Sequence, residues 1–460
     1  MPPTAVSPTV IPEVSPALLA RYDVPGPRYT SYPAVPDWRG ALDGASWARH
    51  LAALGRPDAG AHPLALYLHL PFCAARCLYC GCNATVTTRR AVVDRHLDRL
   101  AAELALVGGA IGARPRVAEL HWGGGTPNFL EDDQLERMYA LLAARFDLTG
   151  AACSVEADPR LVTRSQLERL VALGFRRISF GVQDLDPRVQ AAIGRVQPEA
   201  QVREAVALAR AAGFTGLNVD LIYGLPLQTP DTFRRTIDGA LALAPDRVAC
   251  FGYAHVPWMR PHQKRIDADT LPVAWDRFTL FRAAVQGFTA AGYRWLGIDH
   301  FALPADPLAQ AADAGALHRN FMGYTTRPGE RLLGIGMSAI SEVDGWLAQH
   351  QVELGDWQRA IDDGQWPLMR GHVLSADDRR RGAAIAHLMC NAELPRALWL
   401  EDDGQFEARL APLRDDGLVV LEPGRLVVTP LGRFFLRNIA FLLDGYRAGA
   451  EPVARYSRAV

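Results

Sequence analysis

The sequence predicts an α/β fold: a partial (β/α)6, TIM-like barrel with an N-terminal extension and a small C-terminal helical and winged module. Three observations lead there. Short β-rich runs alternate with amphipathic helical stretches, the pattern of right-handed βαβ units around a parallel sheet. Six such units can be traced, short of the eight that close a full TIM barrel. The chemically unusual residues fall within or just after these runs, toward the strand ends where active sites of parallel barrels gather.

The expected strands are Leu64–Leu70, Val117–Gly123, Ala152–Ala157, Arg177–Val182, Leu217–Tyr223 and Arg247–Tyr253. Between them the helical stretches are Val92–Val107, Asp132–Arg145, Ser165–Leu173, Pro198–Ala212 and Pro230–Ala244, each with an apolar face at helical spacing. Residues 1–20 are Pro-rich and are expected to be poorly ordered. Ser375–Arg447 reads as helices plus a hairpin, with the turn Glu422–Arg425 between VVL and LVV. That arrangement is winged-helix-like. It carries Asp and Glu as freely as Arg, so a lid or packing role is expected rather than DNA binding. The resulting division is 1–60 as lead-in, 61–300 as barrel, 301–370 as a barrel-completing and substrate-covering segment, and 371–460 as the winged module.

Composition excludes several classes. Lys and Arg number 49 against 50 Asp and Glu, so no global basic field points to nucleic acid. No run approaches the ~18 apolar residues that span a bilayer. The opening MPPTAVSPTVIPEVSP has neither a basic n-region nor an apolar h-region, which predicts a cytoplasmic enzyme in a reducing compartment. Lys264 is the only lysine, which we read as codon bias in an Arg- and Ala-rich chain.

Four of the seven cysteines lie in YLHLPFCAARCLYCGCN. Cys73, Cys77 and Cys80 form a C-x3-C-x2-C triplet, and Cys82 follows one glycine later. Three thiolates from one loop can hold three corners of a [4Fe–4S] cluster and leave the fourth iron open to a ligand that is not protein. A zinc loop is the plainer alternative, but structural zinc sites use two separated ligand pairs and no second pair is evident. A disulfide is the third option. Cys153, Cys250 and Cys390 stand alone among apolar neighbours and are expected to be buried structural residues.

After the second strand, HWGGGTPNFL offers three glycines whose backbone can approach a ligand closely. In isolation a tight turn would explain them; one β/α unit beyond a cluster loop they suggest an amino-acid-like ligand on the open iron. SVEADPR places Glu156 at a strand tip as a ribose acceptor, with Asp158 as a helix cap before Pro159. Gln183, Arg195 and Asp220 follow in SFGVQDLDPRVQAAIGRVQP and NVDLIYGLPLQT. Arg195 and Asp220 could be surface residues, although Asp220 sits among apolar neighbours where an unpaired carboxylate is costly.

Taken together, the cluster loop, GGGTP, VQDLDPRVQAAIGR and DLIYGLPLQT resemble a radical S-adenosylmethionine (SAM) enzyme. PGPRYTSYP, GIDHFALPADPLAQA, LHRNFMGYTT and GRFFLRNIA extend the likeness over nearly the whole chain, to the oxygen-independent coproporphyrinogen III oxidase (dehydrogenase) family. The resemblance implies that Cys73, Cys77 and Cys80 ligate the cluster and that Cys82 does not. A first SAM would meet Tyr67, Gly124, Glu156 and Ile340. A second would meet Tyr79, Gly125, Thr126, Gln183, Arg195, Asp220 and Ala254. Tyr79 stands where family members often carry Phe. The implied chemistry is radical β-hydrogen abstraction and decarboxylation at two propionates of coproporphyrinogen III. An electron donor such as flavodoxin or ferredoxin and a monomeric state are expected with it. Four carboxylates on the substrate call for cations, and Arg28, Arg260, Lys264 and Arg319 are the candidates. Asp299 and His300 are placed near that cavity without a role. Two alternatives share the scaffold: a haem chaperone, and a radical methyltransferase or cyclopropanase. The chaperones typically lack Cys82 and the PGPRYTSYP leader, and usually show H-N-x-x-Y-W in place of the segment from His318.

Overall fold

The computed structural model describes residues 11–38, 40–56, 64–327, 331–400, 403–447, Tyr456 and Arg458. The chain separates into two compact units that interleave in sequence. One comprises Arg39–Asp220 with Gly329–Val373; the other comprises Met1–Trp38, Leu221–Pro328 and Leu374–Val460.

The six expected strands are present as β1 (Leu64–Leu70), β2 (Val117–Gly124), β3 (Ala152–Ala157), β4 (Phe175–Gln183), β5 (Gly216–Tyr223) and β6 (Arg247–Gly252). Helices Arg90–Ile111, Asp132–Ala143, Arg164–Ala172, Glu199–Ala212 and Pro230–Ala242 separate them, so the α/β fold and its strand–helix alternation stand as read. β1 shows why such a segment becomes a buried parallel strand: Leu64, Leu66, Leu68 and Leu70 are all fully buried, and so are its neighbours toward the end. The helix after it stops at Gly112, whose φ of 70° is the left-handed cap that glycine tolerates.

Within the first unit β1 is central. It pairs in parallel with β2 on one side and with Arg331–Ile335, a strand outside the six expected, on the other. β3 and β4 continue the parallel order. Beyond Arg331–Ile335 the sheet turns antiparallel through Ile340–Val343, Trp346–His350 and Leu368–Val373. Trp122 and Phe175, both fully buried with ring centroids 4.6 Å apart, anchor the core. A short helix, Pro187–Ala192, falls between the expected elements; Asp186 caps it and Pro187 opens it.

In the second unit β6 pairs antiparallel with His300–Ala302, which pairs in turn with Arg294–Leu296. The C-terminal elements are helix Ala376–Asn391, helix Asp403–Asp415 and a three-stranded sheet in the order Glu393–Pro395, Arg425–Val428, Val419–Glu422. The Glu422–Arg425 turn closes a hairpin in which those two residues are paired. The expected disorder of residues 1–20 is corrected in part. Pro16–Tyr22 is a helix, since Ser15 accepts from the amide of Leu18 and Pro16 pre-sets its first turn; residues 1–10 lie outside the described residues. Among the described residues no helix is long and apolar enough to cross a membrane.

Candidate active site

The cysteine loop leaves β1 through Phe72–Cys73, which pairs in parallel with Thr85–Val86 and closes the loop at its base. The Thr87 amide donates to the Cys73 carbonyl at 3.1 Å, and the Leu78 amide donates to Ile193 at 2.9 Å. The crown of the loop is thereby tied to the turn before Arg195. Cys77 is buried, Cys73 and Cys80 are half-buried, and Cys82 is exposed. Burial pushes the Cys73 thiol up, against a 3.3 Å contact with the Thr126 hydroxyl. A hydrogen bond with Cys80, then its charge, pushes Cys82 well up. Among the described residues no three His, Cys, Asp or Glu groups could hold one metal ion. A cluster asks for something different, because each thiolate takes its own iron and the three need not meet at a point. An all-thiol donor set on one closed loop fits that group.

Arg195 lies against this loop. Its guanidinium donates to Cys77 Sγ at 3.5 Å, to Asp158 Oδ2 at 3.0 Å and to the Gly181 carbonyl at 2.7 Å. Its Nε is buried without a partner, as a ligand-facing donor would be. Asp158 does cap the turn after β3, accepting from the Arg160 amide, and it also pairs with both Arg160 and Arg195. Burial alone would raise its carboxyl, yet the two arginines hold it below the ordinary value. Tyr79 is close enough to feel Arg195 and Cys77, and burial pushes its phenol well up.

The register of β1, β2 and β3 places Tyr67, His121 and Ser154 in one row. His121 stacks on Tyr67 and bonds Ser154 Oγ at 2.7 Å through Nδ1. Its Nε2 lies 3.3 Å from Glu156 Oε1, while the Gly124 amide donates to Glu156 Oε2 at 3.1 Å. Burial alone would raise the Glu156 carboxyl; His121, the Gly124 amide and His69 together hold it down, so it is a poised anion. His69 sits behind this row, within hydrogen-bonding distance of the Tyr67 hydroxyl (3.1 Å) and of the Asn83 carbonyl (2.9 Å).

The glycines are there because nothing larger fits. A Cβ on Gly124, whose φ is 112°, would stand 2.6 Å from the His69 ring. One on Gly125 would stand 2.7 Å from the Phe72 carbonyl oxygen. The amides of Gly125 and Thr126 donate to Leu70 and Phe72, at 2.8 Å each, which locks this segment to the start of the cysteine loop. Gln183 ends β4 with a positive φ of 66°, the kind of backbone strain that collects at functional positions. Asp220 in β5 accepts from Ser179 at 2.9 Å and from Asn218 at 2.7 Å, so its half-buried carboxylate is compensated. Ile340 opens the strand after a turn in which Ser338 has a φ of 60° and approaches His69 Nε2 at 3.5 Å.

The first unit therefore carries the four cysteines with Tyr67, Tyr79, Gly124, Gly125, Thr126, Glu156, Gln183, Arg195, Asp220 and Ile340. The second carries Ala254, Arg28, Arg260, Lys264 and Arg319. There the carbonyl of Ala254 accepts from Gln263 at 3.2 Å. Arg28 pairs with Asp299, and Arg319 donates to the Arg28 carbonyl at 2.6 Å. Arg260 and the exposed Lys264 lie on a separate loop beside the exposed Trp258 and Met259. Cys153, Cys250 and Cys390 are buried, as their apolar surroundings suggest. Sequence reasoning missed His69, His121 and Gln263. The HL and HW pairs at the ends of apolar strands were the available signal for the first two.

Residues 67–240 match the radical SAM superfamily. Over 454 residues the chain is 39% identical to the oxygen-independent coproporphyrinogen III oxidase of Pseudomonas aeruginosa, covering 96% of this chain and 98% of that one. It is equally similar, 39% over 453 residues, to the Escherichia coli K12 protein of the same name, covering 96% and 98%. A solved structure of Escherichia coli coproporphyrinogen III oxidase, described as a radical SAM enzyme, superposes with a TM-score of 0.85 at 38% identity. It covers 91% of this chain and 97% of its own.

Proposed function

Since the chain belongs to the oxygen-independent coproporphyrinogen III oxidase family of radical SAM enzymes, we propose that it converts two propionate side chains of coproporphyrinogen III to vinyl groups without oxygen, giving protoporphyrinogen IX. The observation that carries this reading is the closed thiol loop locked to the glycine segment beside a poised Glu156. The family implies a [4Fe–4S] cluster and SAM; when bound, they supply a 5′-deoxyadenosyl radical able to take a propionate β-hydrogen, after which CO2 and one further electron leave.

The residues of the chain do the holding. Cys73, Cys77 and Cys80 would ligate three irons, with Arg195 donating to Cys77 Sγ at 3.5 Å. Tyr67, Gly124, Glu156 and Ile340 would orient the first SAM, the Glu156 anion accepting hydrogen bonds. We assign a second SAM to Tyr79, Gly125, Thr126, Gln183, Arg195, Asp220 and Ala254; the unpartnered Nε of Arg195 and the strained Gln183 support that reading. Arg28, Arg260, Lys264 and Arg319 would meet substrate carboxylates. A flavodoxin- or ferredoxin-type donor, a monomer, a cytoplasmic location, a substrate-covering role for 301–370 and a lid or packing role for the 371–460 module complete the proposal.

The test is anaerobic turnover with reconstituted cluster, a reductant, SAM and coproporphyrinogen III, with porphyrins resolved by mass. Two successive CO2 losses with 5′-deoxyadenosine are expected. Deoxyadenosine without decarboxylation would redirect the search to another substrate. Methyl transfer from labelled SAM, or tight haem binding without deoxyadenosine, would overturn the reading.

A further inference from the structure

In the second unit one guanidinium and one imidazole share a buried carboxylate. Arg28 pairs with Asp299 Oδ2 and lies over the Phe251 ring, 5.7 Å from its centroid. Asp299 Oδ1 meets His300 Nδ1 at 2.7 Å, and its side chain is only 5% exposed. Arg319 contributes to the same field but has no ion pair among the described residues: it donates to the Arg28 carbonyl and lies 5.2 Å from the centroid of Tyr324. Its Nε is buried and unpartnered. The backbone before Arg28 is held by Arg437, which is buried and donates to the carbonyls of Gly26 and Pro27. Unlike Asp299, the Arg28 side chain is 32% exposed, so a ligand can reach it.

A buried carboxylate bound by Arg28 and His300 already has the geometry that a propionate would demand. With Arg319 and the buried Arg437 beside the Arg28–Asp299 pair, guanidiniums outnumber the carboxylate, and an excess of positive charge favours an incoming anion. We propose that Arg28 and Arg319 form a seat for one propionate carboxylate of the tetrapyrrole, and that Asp299 is the resident counter-ion, holding Arg28 until that carboxylate takes its place. With the ligand seated, two guanidiniums face two carboxylates, and Asp299 keeps His300. Asp299 thus acts as a positioning residue and a competitor, setting how tightly a carboxylate is held and how readily a product leaves.

This inference rests on the tetrapyrrole reading given above, and its test needs no turnover. The full chain is titrated with coproporphyrin III, the stable oxidised tetracarboxylate, and separately with its tetramethyl ester, following porphyrin fluorescence. Asp299→Asn removes the competitor and is expected to tighten the acid about fivefold while leaving the ester unchanged. Arg28→Gln is expected to weaken the acid about tenfold, again sparing the ester. A merely structural ion pair would move the acid and the ester alike, or leave the acid unmoved in folded D299N, and either result overturns the seat. Should D299N fail to fold, R28Q decides by the same comparison. Failure here would leave deoxyadenosine formation and CO2 loss untouched, so it is separable from failure of the proposed function.

Discussion

His96 is a buried base with nothing to bond. It lies on helix Arg90–Ile111, fully buried, edge-on to Phe72 at 5.0 Å and against Trp357 at 4.8 Å. Among the described residues neither ring nitrogen has a partner, and burial pushes its pKa from 6.5 down to about 3. Because the folded value lies below the unfolded one, the native state pays nothing above pH 6.5 and loses stability as pH falls from there toward 3. Each pH unit in that window is worth about 1.4 kcal/mol. At pH 5 the loss is therefore about 2 kcal/mol. His96→Phe keeps the ring shape, removes two unsatisfied nitrogens and abolishes the titration. The variant should be about as stable as the parent or up to ~2 kcal/mol better at pH 8, with its advantage growing by about 2 kcal/mol at pH 5. Denaturant titrations of both proteins at pH 8, 6 and 5, followed by tryptophan fluorescence, measure that gap. A gap that stays constant across the three pH values would show that His96 is not held neutral, and the argument from burial would fail.

Four further outcomes follow from the site. Gly125→Ala places a methyl 2.7–2.9 Å from backbone atoms of Leu70 and Phe72; it should cost about 1–3 kcal/mol and lower the iron retained after reconstitution, measured by iron and sulfide assay. Gly109→Ala is the internal control: nothing lies within 4 Å of its Cβ on an exposed helix face, and helix propensity should raise stability by about 0.5–1 kcal/mol in thermal denaturation. Glu156→Gln keeps the strand but removes the anion, so SAM binding measured by anaerobic calorimetry should weaken about tenfold, ~1.4 kcal/mol, with cluster content unchanged. Arg195→Met leaves buried Asp158 to Arg160 alone; the depressed Asp158 carboxyl gives stability present above about pH 4 and lost as pH falls through its lowered folded value, so the acid-unfolding midpoint of the variant should move up.

Much of the molecule could be read from period and spacing, because those report local geometry. The Leu-rich alternation of Leu64–Leu70 and the proline that opens Pro230–Ala242 are local rules, and strands and helices fall within a residue or two of them where the period is strong. The C-x3-C-x2-C loop is legible for the same reason: one short segment supplies the whole donor set. What spacing could not show is anything set by register. His121 faces Tyr67 and Glu156 only because β1, β2 and β3 align in parallel at those residues. The strand Arg331–Ile335 joins β1 from about 270 residues away and brings the Ile340 turn with it.

The same distinction explains the two arginines read most differently before and after folding. Arg195 looked as much like a surface residue as a ligand, because a guanidinium in an AIGRVQ turn has no local signature. Its burial comes from Asp158, thirty-seven positions earlier, and from the Gly181 carbonyl. In the sequence only its charge marks Arg28 as a candidate. The fold supplies what charge could not, a buried acid that already occupies the guanidinium. Arg28 is the half-buried end of a pair whose other end is sealed, an arrangement that lets an arriving carboxylate reach the guanidinium and exchange for the resident one.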